Sequence, residues 1–369
     1  RMKIKNIALV FLCFSFLFGE NINQQLRIAG KNKKEIKKAL RKAPKNHRAG
    51  MHWLIKNMPD ADLKSVTSDF LLENCELAYK AWGETAWGRE IPEDVFFEYV
   101  LPFANLNEKR ESWRKDFYYR FSDIMRNSSS GYQAAASLNN KMFEMVGVKY
   151  STKRPKADQA PYESMDAGLA SCTGLSILLI DACRSIGVPA RFVGTPMWYN
   201  NSGNHSWVEI WDNGWHVTGA AEPTGDELNN FWFSGLASRA VEGHPKYGIY
   251  AATWADSDIH FPMDWLPGVD LYNAVDVTAS YIKNVDKNLV PIRIRALDDK
   301  GERQQVAVVV TGEDNFWFEG VSKNESSDAN DHLTLMLPKG KEFIIKTNGD
   351  EQKINIEKEK IVDLKIYNK

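Results

Sequence analysis

Between His52 and Gly147 the apolar positions return every three to four residues, the period of one helix face. In "DLKSVTSDFLLENCELAYKAWG" the residues Leu63, Val66, Phe70 and Leu77 share a face, with Asn74 as the polar exception and Cys75 as a small buried apolar residue. "IPEDVFFEYVLPFA" opens with Pro92, Glu93 and Asp94, a helix start. "NEKRESWRKDFYYRFSDIM" and "GYQAAASLNNKMFEMVG" continue the pattern, and Trp113, Phe117, Tyr118 and Phe121 read as helix-packing residues. Three to five helices are expected here. The stretch 148–170 is polar, has two prolines and no period, so it is expected to be a long irregular segment.

The period changes after residue 170. "ASCTGLSILLIDACRSIGVPARFVGT" predicts a helix that begins at Ser171, Cys172 and Thr173, ends at Gly187 and cannot continue through Pro189. "GNHSWVEIWDNGWHVTGAAE" (203–222) predicts a hairpin, because Asn213-Gly214 is a two-residue turn signal. In that register Ile210 faces Val217, Val208 faces Gly219 and His205 faces Glu222. Val208, Ile210, Trp215 and Val217 form an apolar face; His205, Trp207, Glu209, Thr218 and Glu222 form the other. A three-residue turn would slip the register by one and leave Glu222 diagonal to His205. From about Val275 apolar and polar residues alternate between the turns "DDKG", "PKGK" and "NGDE", the mark of a β-sandwich module. The predicted class is α+β: a leader or anchor at 1–20, a helical region at 21–149, a core with an antiparallel sheet at 150–270, and a β-sandwich at 275–369.

Composition changes this picture little. The 369-residue chain is 43% hydrophobic and 26% charged, with a formal net charge of -1. That balance speaks against a nucleic-acid partner. The one strongly basic stretch, "KNKKEIKKALRKAPKNHR" (31–48), reads as a solvated helix or a flexible linker. At the N-terminus Lys3 and Lys5 precede an apolar run from Ile7 to Phe18. This is the pattern of a secretory signal peptide, so export to the periplasm or outside the cell is expected. A membrane contact arises only if that segment is an uncleaved anchor.

Cysteine chemistry adds the rest. Cys172 at a helix N-terminus gains from the helix dipole as a thiolate. Cys183, eleven residues along the same helix, lies roughly 16 Å away and cannot bridge to it. Cys183 is then a buried structural thiol or pairs with Cys75, and Cys172 is the free one. Cys172, His205 and Glu222 form a nucleophile, base and orienting acid. Gln159, in the irregular segment, is the candidate side-chain donor to an oxyanion beside the Cys172 backbone N–H. No phosphate-cradling glycine loop or Cys-x-x-Cys pair is present, and "DSDIH" lacks the glycine turn and distal Glu of a calcium loop. No cofactor and no metal are expected.

These segments resemble the transglutaminase-like superfamily of papain-like cysteine enzymes, in an exported bacterial form. The motifs are Cys172 at a helix start, Gly187 to Arg191 after it, and His205 with Trp207 and Glu209. The resemblance covers about 150–225. It implies catalysis through a Cys172 thioester on amide bonds, with Trp207 assigned to the substrate side. Most of the family carries an Asp where this chain has Gly219, and one branch has a further Glu that aligns with Glu222. Glu222 then either replaces the missing acid, which the hairpin register favours, or does another job such as contacting substrate; Asp226 and Glu227 are the runners-up. The expected activity is hydrolysis of an amide in a peptide, protein or glycopeptide. The alternatives are protein crosslinking and a non-catalytic module that binds a peptide or glycan polymer.

Overall fold

The computed structural model describes residues 22–282, 286 and 288–366. The segment read as a signal peptide lies outside them. Among the described residues no helix is long and apolar enough to cross a membrane.

The N-terminal region is helical as its period predicts, but it is cut into more and shorter pieces. Thr67 caps the helix Ser68–Glu84 by accepting from the Phe70 N–H, so Leu63 ends a separate short helix, Asp60–Leu63, and Val66 lies in the connection between the two. Pro92 stands immediately before the helix Glu93–Tyr99. The "NEKRESWRK…" stretch forms Trp113–Arg120 and Ser122–Asn127. Ser130 caps Gly131–Val146, and Gly147 ends it in the left-handed conformation. Trp113, Phe117, Tyr118 and Phe121 are all buried. Of the two readings of the basic stretch, helix is the one observed. Lys33–Lys42 docks Ile36 and Ala39 into the interior while its lysines face water.

The helical region and the following core share one hydrophobic interior, which runs from Ala29 to Ala274. Its centre is the helix Cys172–Ser185, buried along nearly its whole length. Gly187 ends this helix with φ +75°, and a Cβ there would meet Ala81 backbone atoms at 3.1 Å. Glycine is needed both for the turn and for the approach of the Ser68–Glu84 helix. Trp87 Nε1 donates to the Gly187 carbonyl at 2.9 Å and fixes the same contact.

Beside this helix stands an antiparallel sheet of five strands. In spatial order they are Trp215–Thr218, His205–Trp211, Ala190–Thr195, Tyr250–Ala252 and Ala274–Asp276. Val208 and Ile210 join the main interior. Trp207, Val193, Phe233 and Tyr281 form a second apolar cluster. The core sheet thus extends to Asp276, past the 270 boundary expected from composition.

The hairpin register is slipped by one from the two-residue expectation. Trp211 pairs with Trp215, Glu209 with Val217 and Val208 with Thr218. The loop has three residues because Asp212 leaves the ladder: its carboxylate accepts the Tyr132 N–H at 2.8 Å, at the start of a neighbouring helix. Trp215 and Val217 therefore share a face with Glu209, and Thr218 moves to the Val208 face.

The C-terminal module is a sandwich with its own core of Val, Ile, Leu and Phe. One sheet holds four strands between Ala307 and Asn355, and the other holds Leu333–Pro338, Leu289–Leu297 and Lys360–Lys365. Asn348-Gly349 turns the hairpin that pairs Glu342–Lys346 with Glu351–Asn355. The final strand runs parallel to Leu289–Leu297.

Candidate active site

Cys172 is the first residue of its helix. Ser171 caps it, accepting the Gly174 N–H at 3.3 Å and donating its hydroxyl to the Ala157 carbonyl at 2.8 Å. The thiol thus sits at the positive end of a 14-residue helix. His205 opens its strand. The helix start and the strand start meet there, with Thr173 Oγ1 3.2 Å from Ser206 Oγ.

The rings of Trp198, Trp207, Trp232 and Phe233 pack around His205, which is 2% exposed. Trp207 is fully buried and donates its indole N–H to the Tyr281 hydroxyl at 2.8 Å. It supports His205 from behind; it does not line the cavity at Cys172, so its assignment to the substrate side is not the position observed. The support continues outward: Tyr281 donates to Glu209, and Arg191 grips Glu209 at 2.6 and 2.7 Å. The Arg191 guanidinium also lies over the Trp215 ring, 3.7 Å from its centroid.

Two carboxylates face the two ring nitrogens of His205. Glu222 Oε1 lies 3.7 Å from Nε2, and Asp328 Oδ2 lies 3.5 Å from Nδ1. Cys172 Sγ, a His205 ring nitrogen and an Asp328 oxygen all fall within 4.8 Å of one another. Burial alone would lower the His205 pKa. The charges of Asp328 and then Glu222 outweigh it and hold the imidazole well above its ordinary value. Burial pushes Asp328 up, and the His205 charge overcomes this, so its carboxyl stays below the usual range.

The strand pairing ends at Thr218, so Glu222 is not cross-strand from His205 and reaches it through a tight turn beyond the ladder. Its N–H donates to the Gly219 carbonyl at 3.2 Å, and Ala221 between them takes φ +61°. Asn139, buried on the helix Gly131–Val146, holds this turn by donating to the Gly219 carbonyl at 2.8 Å and accepting the Ala221 N–H at 2.9 Å. Asp226 and Glu227 are exposed and lie outside the cavity wall.

Asp328 is the residue that sequence reading missed. It lies in the loop before the strand Leu333–Pro338 of the C-terminal module. Nothing local marks it, because the loop finds His205 only once the module docks. The buried Arg303 staples the loop by donating to the carbonyls of Ser327 (2.9 Å), Asp328 (3.0 Å) and Asp331 (3.1 Å). Docking is fixed by the Ala329 N–H on the Tyr150 hydroxyl (3.0 Å) and Asn330 Nδ2 on the Asn204 carbonyl (3.1 Å).

Between core and module a cavity of about 310 Å³ opens onto the thiol. Cys172, Tyr150, Glu222, Trp232, Lys323 and Asp331 are among its walls. Gln159 is not. It is 1% exposed, and its amide group donates to the carbonyls of Leu169 (2.9 Å) and Glu163 (3.3 Å). The stretch expected to be irregular holds the helix Pro161–Ala167 between the short paired strands Lys149–Tyr150 and Leu169–Ala170; the Gln159 donors are spent on bracing it, so it brings none to the cavity. Cys75, Cys172 and Cys183 are all free thiols. Burial, against the opposing charge of Arg114, pushes Cys75 up to about 12, and burial likewise raises Cys183.

Residues 120–220 match the family model of the transglutaminase-like superfamily, and that stretch carries Cys172 and His205. Both candidate acids, Glu222 and Asp328, fall outside the matched residues. No curated protein matches the sequence. Similar solved structures include a candidate cysteine protease from Cytophaga hutchinsonii, 16% identical with a TM-score of 0.30, over 37% of this chain and 45% of that one. Another is red sea bream transglutaminase, 9% identical with a TM-score of 0.33, over 74% of this chain and 65% of that one. A C-terminal fragment of the pilus adhesin SpaC from Lactobacillus rhamnosus GG is 12% identical with a TM-score of 0.18, over 49% of this chain and 89% of that one. The chain thus spans less than half the length of the first and less than two thirds of the second.

Proposed function

We propose that this protein is an exported cysteine enzyme that hydrolyses an amide bond in a peptide or peptide-linked substrate through a thioester on Cys172. The observation that carries the reading is the convergence of Cys172, His205 and Asp328 within 4.8 Å at a cavity, with Glu222 Oε1 3.7 Å from His205 Nε2. His205 takes the Cys172 proton, and the thiolate adds to the substrate carbonyl carbon. The C–N bond then breaks, His205 protonates the departing amine, and water later cleaves the thioester. Glu222, facing Nε2, sets the tautomer and supports the imidazolium. The oxyanion draws on the Cys172 backbone N–H and on the Tyr150 hydroxyl. That hydroxyl accepts from Ala329 and keeps its own hydrogen for the cavity it lines. The export part of the reading rests on Lys3, Lys5 and the apolar run 7–18.

The test is to incubate the protein with peptide and amide libraries and look by mass spectrometry for a hydroxylamine-sensitive acyl adduct on Cys172. An adduct that Cys172→Ala abolishes, and that decays to free acid, supports hydrolysis. Transfer of the acyl group to an added amine points to crosslinking instead. No adduct with any library member sinks the catalytic reading. N-terminal sequencing of the mature protein from fractionated cells tests export.

A further inference from the structure

We propose that Cys172, His205 and Asp328 form a three-ligand site for a zinc-class divalent ion, and that the bound ion holds the thiol inactive. Ion binding stands on the geometry alone; only its inhibitory consequence rests on the thiol chemistry proposed above.

The spacing is the first argument. Asp328 Oδ2 and His205 Nδ1 are 3.5 Å apart, too far for a well-formed hydrogen bond. Two donors bound to one tetrahedral zinc at ordinary bond lengths lie about 3.4 Å apart. Sulfur and oxygen around the same ion lie about 3.6 Å apart, and here all three donors are within 4.8 Å. Rotation of the half-buried Cys172 side chain can close that gap of about an ångström.

The second argument is the unmet demand at His205. Both ring nitrogens are buried without a hydrogen-bond partner, which is costly in a residue so enclosed. An ion on Nδ1 satisfies one of them. Nε2–H then points toward Glu222 Oε1 at 3.7 Å, the carboxylate–histidine–metal arrangement that orients metal-bound imidazoles.

The third is preorganisation. Asp328 Oδ1 accepts the Asn330 N–H at 2.9 Å, which leaves Oδ2 directed at His205. Arg303 fixes the loop backbone, so this ligand is held in place before any ion arrives. The cavity beside Cys172 gives room for water as a fourth ligand. One sulfur, one nitrogen and one oxygen suit Zn²⁺ and disfavour Mg²⁺ and Ca²⁺, which take oxygen ligands. The site has no sequence motif, because its ligands are 205 − 172 = 33 and 328 − 205 = 123 residues apart.

The experiment uses the full chain, stripped with a chelator. Zn²⁺ is titrated in competition with a chromophoric chelator, and Co²⁺ is added separately to report thiolate ligation through its near-ultraviolet charge-transfer band. The expected result is one tightly bound Zn²⁺, loss of Cys172 alkylation on binding, and a Co²⁺ band that Cys172→Ser removes. Asp328→Asn should weaken Zn²⁺ binding at least about tenfold, and Asp328→His, which restores a ligand, should recover it. Circular dichroism confirms that each variant is folded before it is scored. Absence of one-to-one binding overturns the proposal. So does a Co²⁺ band that survives Cys172→Ser, or unchanged affinity in a folded Asp328→Asn. Thioester formation by the metal-free protein is scored separately, so failure of one proposal is distinguishable from failure of the other.

Discussion

Glu222 occupies the space that a side chain at Gly219 would fill. A Cβ at 219 would lie 1.8 Å from Glu222 Oε2, so the two positions cannot both present a carboxylate to His205. Gly219→Asp should therefore displace Glu222 and lower thioester formation. The double variant Gly219→Asp/Glu222→Ala should recover part of the loss, because one acid again has the site to itself. The check is thioester yield across the three variants. A Gly219→Asp protein as active as the parent would show that Glu222 is not tied to this space.

The three thiols among the described residues should differ sharply in reactivity. Cys75, with its pKa pushed up to about 12, carries a thiolate fraction of only about 10⁻⁴ to 10⁻⁵ near neutral pH. Cys183 is likewise raised and fully buried. Limited alkylation of the native, metal-free chain should label Cys172 first, as read by peptide mapping. Equal labelling of Cys75 would contradict the burial described here.

The Asp328–His205 pair should leave a mark on stability. His205 is raised in the folded state, so its contribution is complete below about pH 6.5 and is lost as pH rises through the folded value. Asp328 is lowered, so its contribution is present above about pH 4 and is lost as pH falls through its folded value. The stability gap between the parent and Asp328→Asn should be widest between about pH 4 and 6.5 and shrink on both sides. Urea midpoints of metal-free protein across pH measure it. A gap that does not change with pH would mean that the two residues are not a charge pair.

Glu209 anchors Arg191 and Tyr281 beneath the His205 strand. Both Arg191 and Glu209 are buried, so Glu209→Ala leaves an uncompensated guanidinium and should cost about 3–5 kcal/mol. Denaturant unfolding measures this. A loss below about 1 kcal/mol would place the pair with ordinary surface contacts.

Tyr150→Phe removes the hydroxyl that accepts from Ala329 and faces the cavity. If it donates to the oxyanion, turnover should fall by about 10²-fold or more, with little change in the alkylation rate of Cys172. Equal losses in both readouts would point instead to a displaced loop.

Much of this protein is written in short stretches of chain. Ser171 and Gly187 bound the Cys172 helix because capping and left-handed termination are settled by neighbouring residues. The alternation in 205–211 and the Asn348-Gly349 turn specify strands for the same local reason. The hairpin register was not local: it depended on Asp212 binding the Tyr132 N–H, 80 residues away in sequence. Nor was the fate of Gln159, whose suitability as a donor disappeared once the carbonyls of Glu163 and Leu169 claimed its amide. The acids around His205 were the least legible. Glu222 needed the turn that Asn139 holds, and Asp328 needed a separate β module to dock through Tyr150 and Asn204. Side-chain type and period fix which elements form. Which charges meet is decided by packing between elements, and in this protein that packing puts a carboxylate on each side of one buried imidazole.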